Sequence, residues 1–445
     1  MSSQERPWEG RRLHFLGVGG AGMSGYARAA RALGATVSGS DAVRSAYLER
    51  LSADGVLEAA IGHSAANLPD GSGVELVHST AVPAENVERV AARERGIPEL
   101  TRAELLGELT ALRRTIAVAG THGKTTTSSM LVHALRRAGM EPGWLVGGAV
   151  GGGLPNAEWG PGEWLVVEAD ESDRSMLSLA VEIAVVTNVE LDHHASYRSL
   201  VELREVFREF LRAPRSAVVW DRPELLELRE GEVVAYDVPA PTLTPGGSTF
   251  AWRGEQVRLV VPGAHNAVNA AGALEAARLA GADLAAAVAG LASFTGAGRR
   301  FQELGRTARG ALVYDDYAHH PTEVQATLRA ARTLAHRRLI AVFQPHLYSR
   351  TELLAREFGR ALALADEAVV LDVYPARERA EDHPGVSGLL IAEATADAAA
   401  GRPVYWLPRF ADAEAVLAGL LGEGDVCLVM GAGDVEELGR GLVAR

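Results

Sequence analysis

The chain has 445 residues, too many for one compact core, and domains of roughly 100–200 residues each imply two to four of them. Its formal charge of −13 excludes a general nucleic-acid binder, because phosphate backbones attract basic faces. No apolar run reaches the ~18 residues that span a bilayer, Met1 to Arg12 lacks the apolar core of a signal peptide, and a single cysteine, Cys427, excludes an internal disulfide and a CxxC metal knuckle. A cytoplasmic protein without a nucleic-acid or membrane partner is expected.

The first segment opens with an apolar strand over Leu13 to Gly17, then a glycine turn, a helix over Met23 to Leu33 and a strand over Thr36 to Ser40 that ends at Asp41. The turn, Gly17-Val18-Gly19-Gly20-Ala21-Gly22, satisfies GxGxxG between a strand and a helix, where backbone N–H groups approach a diphosphate. Asp41 stands about 20 residues on, where an acidic residue meets a ribose hydroxyl. By pattern alone the turn fits NAD, FAD or a UDP-sugar, and a tight packing turn is the plain structural alternative. Strands and helices alternate as far as about Leu109, the sign of a parallel sheet wrapped by helices.

The second segment starts with a strand over Thr115 to Ala119 and the loop Gly120-Thr121-His122-Gly123-Lys124-Thr125-Thr126-Thr127. Val118 stands where the first glycine of GxxxxGK[ST] belongs, but the rest fits a phosphate loop. Small residues expose N–H groups, Lys124 reaches the β- and γ-phosphates of ATP, and Thr125 can hold Mg²⁺. Of 44 basic residues 43 are arginine, so the sole lysine of the chain lies in this loop. A composition that prefers Arg wherever either residue serves should keep Lys where a slender ammonium must reach between phosphate oxygens. A helix over Thr125 to Ala138 follows, with Met130, Leu131, Ala134, Leu135 and Ala138 on one face and Gly139 as its stop.

Gly147 to Gly162 is rich in Gly and Pro and is expected to be a mobile loop. Strands over Trp164 to Val167 and Ile183 to Thr187 end in acidic clusters, Glu168-Ala169-Asp170-Glu171-Ser172-Asp173 and Asn188-Val189-Glu190-Leu191-Asp192-His193-His194. Such a run is commonly a solvated loop, yet at strand ends beside a phosphate loop its carboxylates and imidazoles suit nucleotide-bound Mg²⁺. Ala217 to Val261 is less regular and is read as β-rich decoration.

Pro262-Gly263-Ala264-His265-Asn266-Ala267-Val268-Asn269 sets His265, Asn266 and Asn269 within one helical turn, either as a polar cap or as edges for a base. Arg299 and Arg300 could clamp a γ-phosphate as charge develops on it. The third segment carries strands over Ala311 to Tyr314, Leu339 to Phe343, Ala368 to Val373 and Val426 to Met430. Asp315-Asp316-Tyr317-Ala318-His319-His320-Pro321 and Phe343-Gln344-Pro345-His346 with Arg350 follow strands there; buried structural histidines are the alternative. The organisation expected is three consecutive α/β domains over residues 1–110, 111–301 and 302–445. They are Rossmann-like, P-loop mononucleotide-binding and Rossmann-like in turn.

Taken together, these motifs resemble the Mur ligases over nearly the whole chain. The anchors are residues 17–25, the GTHGKTTT loop, EADESD, TNVELDHH, PGAHNAVNA, TGAGRRF, DDYAHHP and FQPHLYSR, and Ser38-Gly39-Ser40-Asp41 points to the alanine-adding branch. The resemblance implies a cytoplasmic step of peptidoglycan synthesis. ATP phosphorylates the carboxylate of UDP-N-acetylmuramate, and the amine of L-alanine displaces phosphate from the acyl phosphate to leave an amide. It implies UDP-sugar contacts from Gly17, Gly19, Gly20, Gly22, Met23, Ser24, Asp41, Ser79, Thr80 and His319. ATP would be held by Gly120, Thr121, His122, Gly123, Lys124, Thr125, Thr126, His265, Asn269, Arg300 and Asp315, and Mg²⁺ by Thr125, Glu168 and His193. Lys124, His193, Arg300, His346 and Arg350 would carry the reaction, with the amino acid bound by the third domain, in a monomer or weak homodimer.

Five positions depart from the family's pattern: Leu191 and His194 around the metal histidine, Ala264 and Leu347 where basic residues often stand, and His78 before Ser79. With Lys124 committed to the nucleotide, no lysine remains for the carbamylated metal-site group some relatives use. The competing readings are a sibling ligase that attaches a recycled peptide, an NAD-dependent oxidoreductase built on the first glycine motif, and a nucleotide sensor without catalysis.

Overall fold

The computed structural model describes residues 6–192 and 196–444. Its contacts divide into two compact units, Met1–Asp237 with Asn269–Leu291, and Val238–Val268 with Ala292–Arg445.

The first unit holds two parallel sheets. In the N-terminal one the strands lie in the order Ala60–Ile61, Thr36–Asp41, Arg12–Leu16, Val74–His78, Glu99–Thr101, all parallel. The order reverses between Arg12–Leu16 and Val74–His78, and a crevice for a ligand opens at the carboxyl ends of strands at such a switch point. The glycine loop and Ser79 stand there. The central sheet has seven strands, in the order Val234–Tyr236, Ser216–Trp220, Ile183–Val186, Arg114–Ala119, Trp164–Ala169, Gly143–Leu145 and Ala157–Glu158, of which only the last is antiparallel. Its inner strands read TIAVA, WLVV and IAVV because helices cover both faces, so residues of either parity are apolar.

One apolar cluster passes through both sheets, joining Phe15, Val77 and Leu105 to Leu145, Leu165 and Val186, each buried. Full burial of such a side chain contributes about 1.5–3 kcal/mol, enough to weld the N-terminal and central layers into one body.

The second unit contains a three-stranded antiparallel sheet, Thr242–Thr244, Gly247–Trp252 and Glu255–Leu259. It also contains a six-stranded sheet ordered Gln302–Arg306, Leu312–Asp316, Val426–Met430, Leu339–Phe343, Glu367–Val370 and Val404–Trp406, antiparallel only at its first strand. Three α/β layers thus follow one another along the chain. The region read as irregular decoration divides: Ser216–Trp220 and Val234–Tyr236 are strands of the central sheet, and only the segment from Thr242 to Leu259 forms the small β-sheet. Gln302–Arg306 escaped the sequence reading because QELGR is mostly polar and exposed, as an edge strand allows. No helix among the described residues is long and apolar enough to cross a membrane.

Candidate functional site

The phosphate loop joins the buried strand Arg114–Ala119 to the helix Lys124–Arg137. Gly123 sits at the helix N-cap with φ +81°, and a Cβ there would lie 2.8 Å from Asn269 Oδ1. Only glycine combines that left-handed backbone with so close a neighbour. Residues after the strand Ile183–Val186 clamp the loop from one side. His122 N donates to Asn188 Oδ1 (2.9 Å), and the His122 carbonyl accepts from Thr187 Oγ1 (2.6 Å) and Asn188 Nδ2 (2.9 Å). Thr121 Oγ1 donates to the Glu190 carbonyl at 3.0 Å and accepts from the Glu190 amide at 2.9 Å. The second acidic motif is therefore partly scaffold, and Glu190 turns its carboxylate to His122 Nε2 at 3.4 Å. His193 and His194 lie outside the described residues.

Lys124 Nζ donates to the Gly120 carbonyl at 2.6 Å and to Glu171 Oε2 at 2.8 Å, with the Thr121 carbonyl at 3.4 Å. Burial alone would lower its pKa, but Glu171, Asp170 and Glu168 outweigh that and raise it, so the ammonium is fixed as a cation at the mouth of the loop. Thr125 Oγ1 donates to Glu168 Oε1 at 2.7 Å, and the Gly147 amide donates to Glu168 Oε2. Thr126 is buried in the first turn of the same helix.

The acidic run does not converge on one metal. Asp170 Oδ2 and Asp173 Oδ2 each accept from Arg102 at 2.8 Å, Glu171 pairs with Lys124, and Glu168 alone of the four faces Thr125. Burial would raise the Asp170 pKa, yet Lys124 and Arg102 hold it well below the usual carboxylate range. The stretch Gly147–Gly162, expected to be a mobile loop, contains the edge strand Ala157–Glu158, and the loop before that strand is pinned at both ends. Gly147 is held by Glu168, and Asn156 Nδ2 reaches the Ala21 carbonyl at 2.6 Å.

The N-terminal glycine loop is drawn tight. Gly17 N and Val18 N donate to the Ser40 carbonyl (2.9 and 3.2 Å), Gly19 N donates to Asp41 Oδ2 (2.7 Å), and Ser45 Oγ donates to the Gly19 carbonyl (2.8 Å). Asp41 thus holds the loop itself and turns its other oxygen to the Val43 amide at 3.2 Å. Gly20 is the N-cap and Gly22 lies in the first turn of the helix Ala21–Ala32, so their amides point out of its N-terminus. Ser79 packs beside Gly17, with Thr80 exposed next to it. Met23 and Ser24 differ from these: both are buried, and Ser24 Oγ donates to the Ala21 carbonyl at 2.9 Å. They build the helix from behind.

The second unit gathers another group. Arg350 is buried, and its Nη1 lies 3.1 Å from His346 Nδ1. The His346 ring stacks on Tyr374 at 5.8 Å and meets His319 edge-on at 5.9 Å. His319 Nδ1 lies 2.9 Å from the Tyr317 carbonyl, and both Arg299 and Arg300 cover the Tyr317 ring. The two arginines then diverge, Arg299 to Asp315 at 3.1 Å and Arg300 to Glu323 at 3.5 Å. Burial pushes Asp315 upward against the pull of Arg299. His265 packs against Gly263, four residues before Asn269 on the helix Ala264–Leu279, so the two share a helix face. His319, expected among the UDP-sugar contacts, belongs to this unit and not to the one holding the glycine loop.

Sequence reasoning missed Arg102, Tyr374, the clamp of Asn188 on the phosphate loop and the pairing of Glu171 with Lys124. The last had a signal: a lone buried cation needs a counter-ion, and the nearest acidic run was available to supply it.

Comparison with known proteins agrees with this layout. Residues 12–114 match the Mur ligase family catalytic domain, 118–277 the Mur ligase middle domain and 299–433 the Mur ligase glutamate ligase domain. The chain is 47% identical over 452 residues to the UDP-N-acetylmuramate–L-alanine ligase of Kineococcus radiotolerans, covering 96% of this chain and 94% of that one. It is 43% identical over 475 residues to the ligase of the same name from Mycolicibacterium smegmatis, covering 99% and 96%. Its structure superposes on the UDP-N-acetylmuramate–alanine ligase of Thermotoga maritima with a TM-score of 0.83 at 28% identity, covering 98% of each chain. A murein peptide ligase from Psychrobacter arcticus gives 0.70 at 26% identity, also over 98% of each. The chain belongs to the Mur ligase family.

Proposed function

We propose that this chain joins L-alanine to the carboxylate of UDP-N-acetylmuramate, converting ATP to ADP and phosphate, in peptidoglycan precursor synthesis. The observation that carries the reading is the phosphate loop with its lone lysine, held between the Gly120 carbonyl and Glu171, beside the Thr125–Glu168 pair. Full-length relatives of this name at 43–47% identity support the choice of substrates.

A carboxylate is a poor electrophile because its carbon already carries two electron-rich oxygens. Transfer of the γ-phosphoryl group from ATP to one of them forms an acyl phosphate and releases ADP. The alanine amine adds to the acyl carbon, phosphate departs with the C–O bond electrons, and the nitrogen loses a proton as the amide forms. Lys124 and the loop amides hold the ATP phosphates; Asn269 and His265 are assigned to the adenine side, and Arg300 and Asp315 to the nucleotide. The glycine loop, Asp41, Ser79 and Thr80 are assigned to the UDP-sugar, with His319, His346 and Arg350 assigned to the acceptor end.

The Thr125 hydroxyl and the Glu168 carboxylate, 2.7 Å apart, offer the hard oxygen donors Mg²⁺ prefers, so the residues present fit that ion. When bound, it would neutralise charge on the transferring phosphoryl group. The domain assignment that accompanies the reading is UDP-sugar to residues 1–110, ATP to 111–301 and amino acid to 302–445, in a cytoplasmic enzyme.

The test is phosphate release with ATP, Mg²⁺ and UDP-N-acetylmuramate, offering L-alanine or the tripeptide L-Ala-γ-D-Glu-meso-diaminopimelate. Turnover with L-alanine supports the reading. Turnover with the tripeptide alone replaces it with the sibling peptide ligase, the second kind of relative that superposes on the chain.

A further inference from the structure

The loop after the strand Gly143–Leu145 has no part in the roles assigned above, yet it touches two of the assigned sites. At its start the Gly147 amide donates to Glu168, the carboxylate assigned to the metal. At its end Asn156 meets the first turn of the helix that opens from the glycine loop. The Val146 amide donates to the Asn156 carbonyl at 2.9 Å and pinches the two ends together, so they are adjacent in space although eight residues lie between Gly147 and Asn156. Arg50 Nη2, from the helix Ala46–Ala53, approaches the Gly153 carbonyl at 3.4 Å and holds the tip.

Asn156 itself is 5% exposed. Its Nδ2 donates to the Ala21 carbonyl at 2.6 Å and to Ser24 Oγ at 3.2 Å. The Ser24 hydroxyl proton is directed at the same carbonyl at 2.9 Å, which leaves the hydroxyl oxygen as an acceptor. Both groups facing Asn156 are therefore acceptors, and the nitrogen end of the amide must be the one turned to them. Gly20, the N-cap, has no side chain with which to close the helix, and Ser24 N bonds back to the Gly20 carbonyl at 2.9 Å. The first turn is thus set from outside, by a side chain of the central layer. A shift of that turn moves every amide that faces a diphosphate, since these are rigidly linked through one helical turn.

We propose that Asn156 is a positioning residue for the UDP-sugar: it fixes the amide-bearing first turn of the N-terminal helix from the loop that also touches the metal carboxylate. The inference rests on the substrate reading above. Asn156 is out of the ligand's reach and acts through Ala21 and Ser24, so it governs binding of the diphosphate and leaves the phosphoryl-transfer chemistry alone.

The experiment uses the full-length protein and four variants, Asn156→Ala, Asn156→Asp, Ser24→Ala and the double variant Asn156→Ala with Ser24→Ala. Asn156→Asp keeps the shape but places a carboxylate against two acceptors. Steady-state phosphate release gives KM for UDP-N-acetylmuramate and for ATP, and kcat, while thermal melts monitor the fold. The expected result is a rise of roughly tenfold in KM for the UDP-sugar in Asn156→Ala and a larger rise in Asn156→Asp, because removal of a donor to buried acceptors is costly. KM for ATP and kcat should stay within about twofold of wild type on the same reasoning. In the double variant the two effects should be less than additive, since they share one contact. An unchanged KM for the UDP-sugar, or equal rises in both KM values with a lowered melting temperature, overturns the proposal. If the wild-type protein itself turns over no UDP-N-acetylmuramate, the substrate reading has failed. UDP binding by titration calorimetry then decides Asn156 separately: weaker UDP binding in Asn156→Ala supports the positioning role, and unchanged binding overturns it.

Discussion

Substitution of Lys124 by Arg keeps a positive charge while changing its shape, and so isolates what the single lysine contributes. The ammonium has three protons, and three oxygens surround it: Gly120 O at 2.6 Å, Glu171 Oε2 at 2.8 Å and Thr121 O at 3.4 Å. A guanidinium is planar and broader, and the loop has no slack to receive it. A methyl group on Gly120 would already lie 2.1 Å from Thr187 Oγ1. Forcing extra atoms into so tight a place costs about 1–3 kcal/mol. A misplaced charge-assisted hydrogen bond to phosphate adds about 1.5–3 kcal/mol. Together these predict a fall in kcat/KM of roughly 10²- to 10⁴-fold. Arg can still pair with Glu171, so the loss of stability should stay within that packing cost of about 1–3 kcal/mol. Lys124→Met is the contrast: it leaves Glu171, 1% exposed, without its cation and should cost about 3–5 kcal/mol of stability as well as activity. Phosphate release and thermal melts on the two variants read both quantities. Turnover of Lys124→Arg within about threefold of wild type would refute the reasoning that shape, and not charge alone, selected lysine here.

Three further outcomes are expected. Gly19→Ala places a Cβ 2.8 Å from Asp41 Oδ2, so KM for the UDP-sugar should rise roughly 10- to 100-fold with little change in KM for ATP; an unchanged value would show that the glycine loop does not hold that substrate. Thr125→Val removes the hydroxyl beside Glu168, and the Mg²⁺ concentration for half-maximal turnover should rise about tenfold; no shift in the Mg²⁺ titration would take Thr125 out of the metal set. Glu88 is fully buried; burial alone would raise its pKa, but hydrogen bonds from His14, Asn67, Ser40 and the Ser64 amide bring it to about 2. A depressed carboxylate stabilises the fold above its unfolded pKa of about 4.3, and that contribution, on the order of 3 kcal/mol, is lost as pH falls from there towards 2. Glu88→Gln should therefore be less stable at neutral pH and flatter in its acid dependence across that window. Denaturant melts with equal slopes for the two proteins between pH 4.3 and pH 2 would contradict it.

Much of this protein was legible along the chain because its chemistry is local. A strand, a glycine turn and a helix are consecutive residues, so Gly17 to Gly22 and Gly120 to Thr127 declared two phosphate-type sites, and the lysine count singled out Lys124 without any neighbour in view. Near-continuous apolar strands gave three parallel α/β layers for the same reason: burial on both faces leaves its mark residue by residue. What the tertiary structure alone decided is pairing at a distance. The acidic run after Trp164–Ala169 reads as one cluster, but its carboxylates part, Glu168 to Thr125, Glu171 to Lys124, and Asp170 with Asp173 to Arg102 from the preceding layer. Asp41 and Ser24, expected among the UDP-sugar contacts, also hold the loop and the helix behind it, which the sequence did not show. Composition fixes how many charges a chain must neutralise, whereas which partner neutralises each depends on crossings between strands far apart in sequence. At Lys124 the two kinds of information met: sequence showed that this lysine has no substitute, and the fold supplied Glu171 to keep it charged.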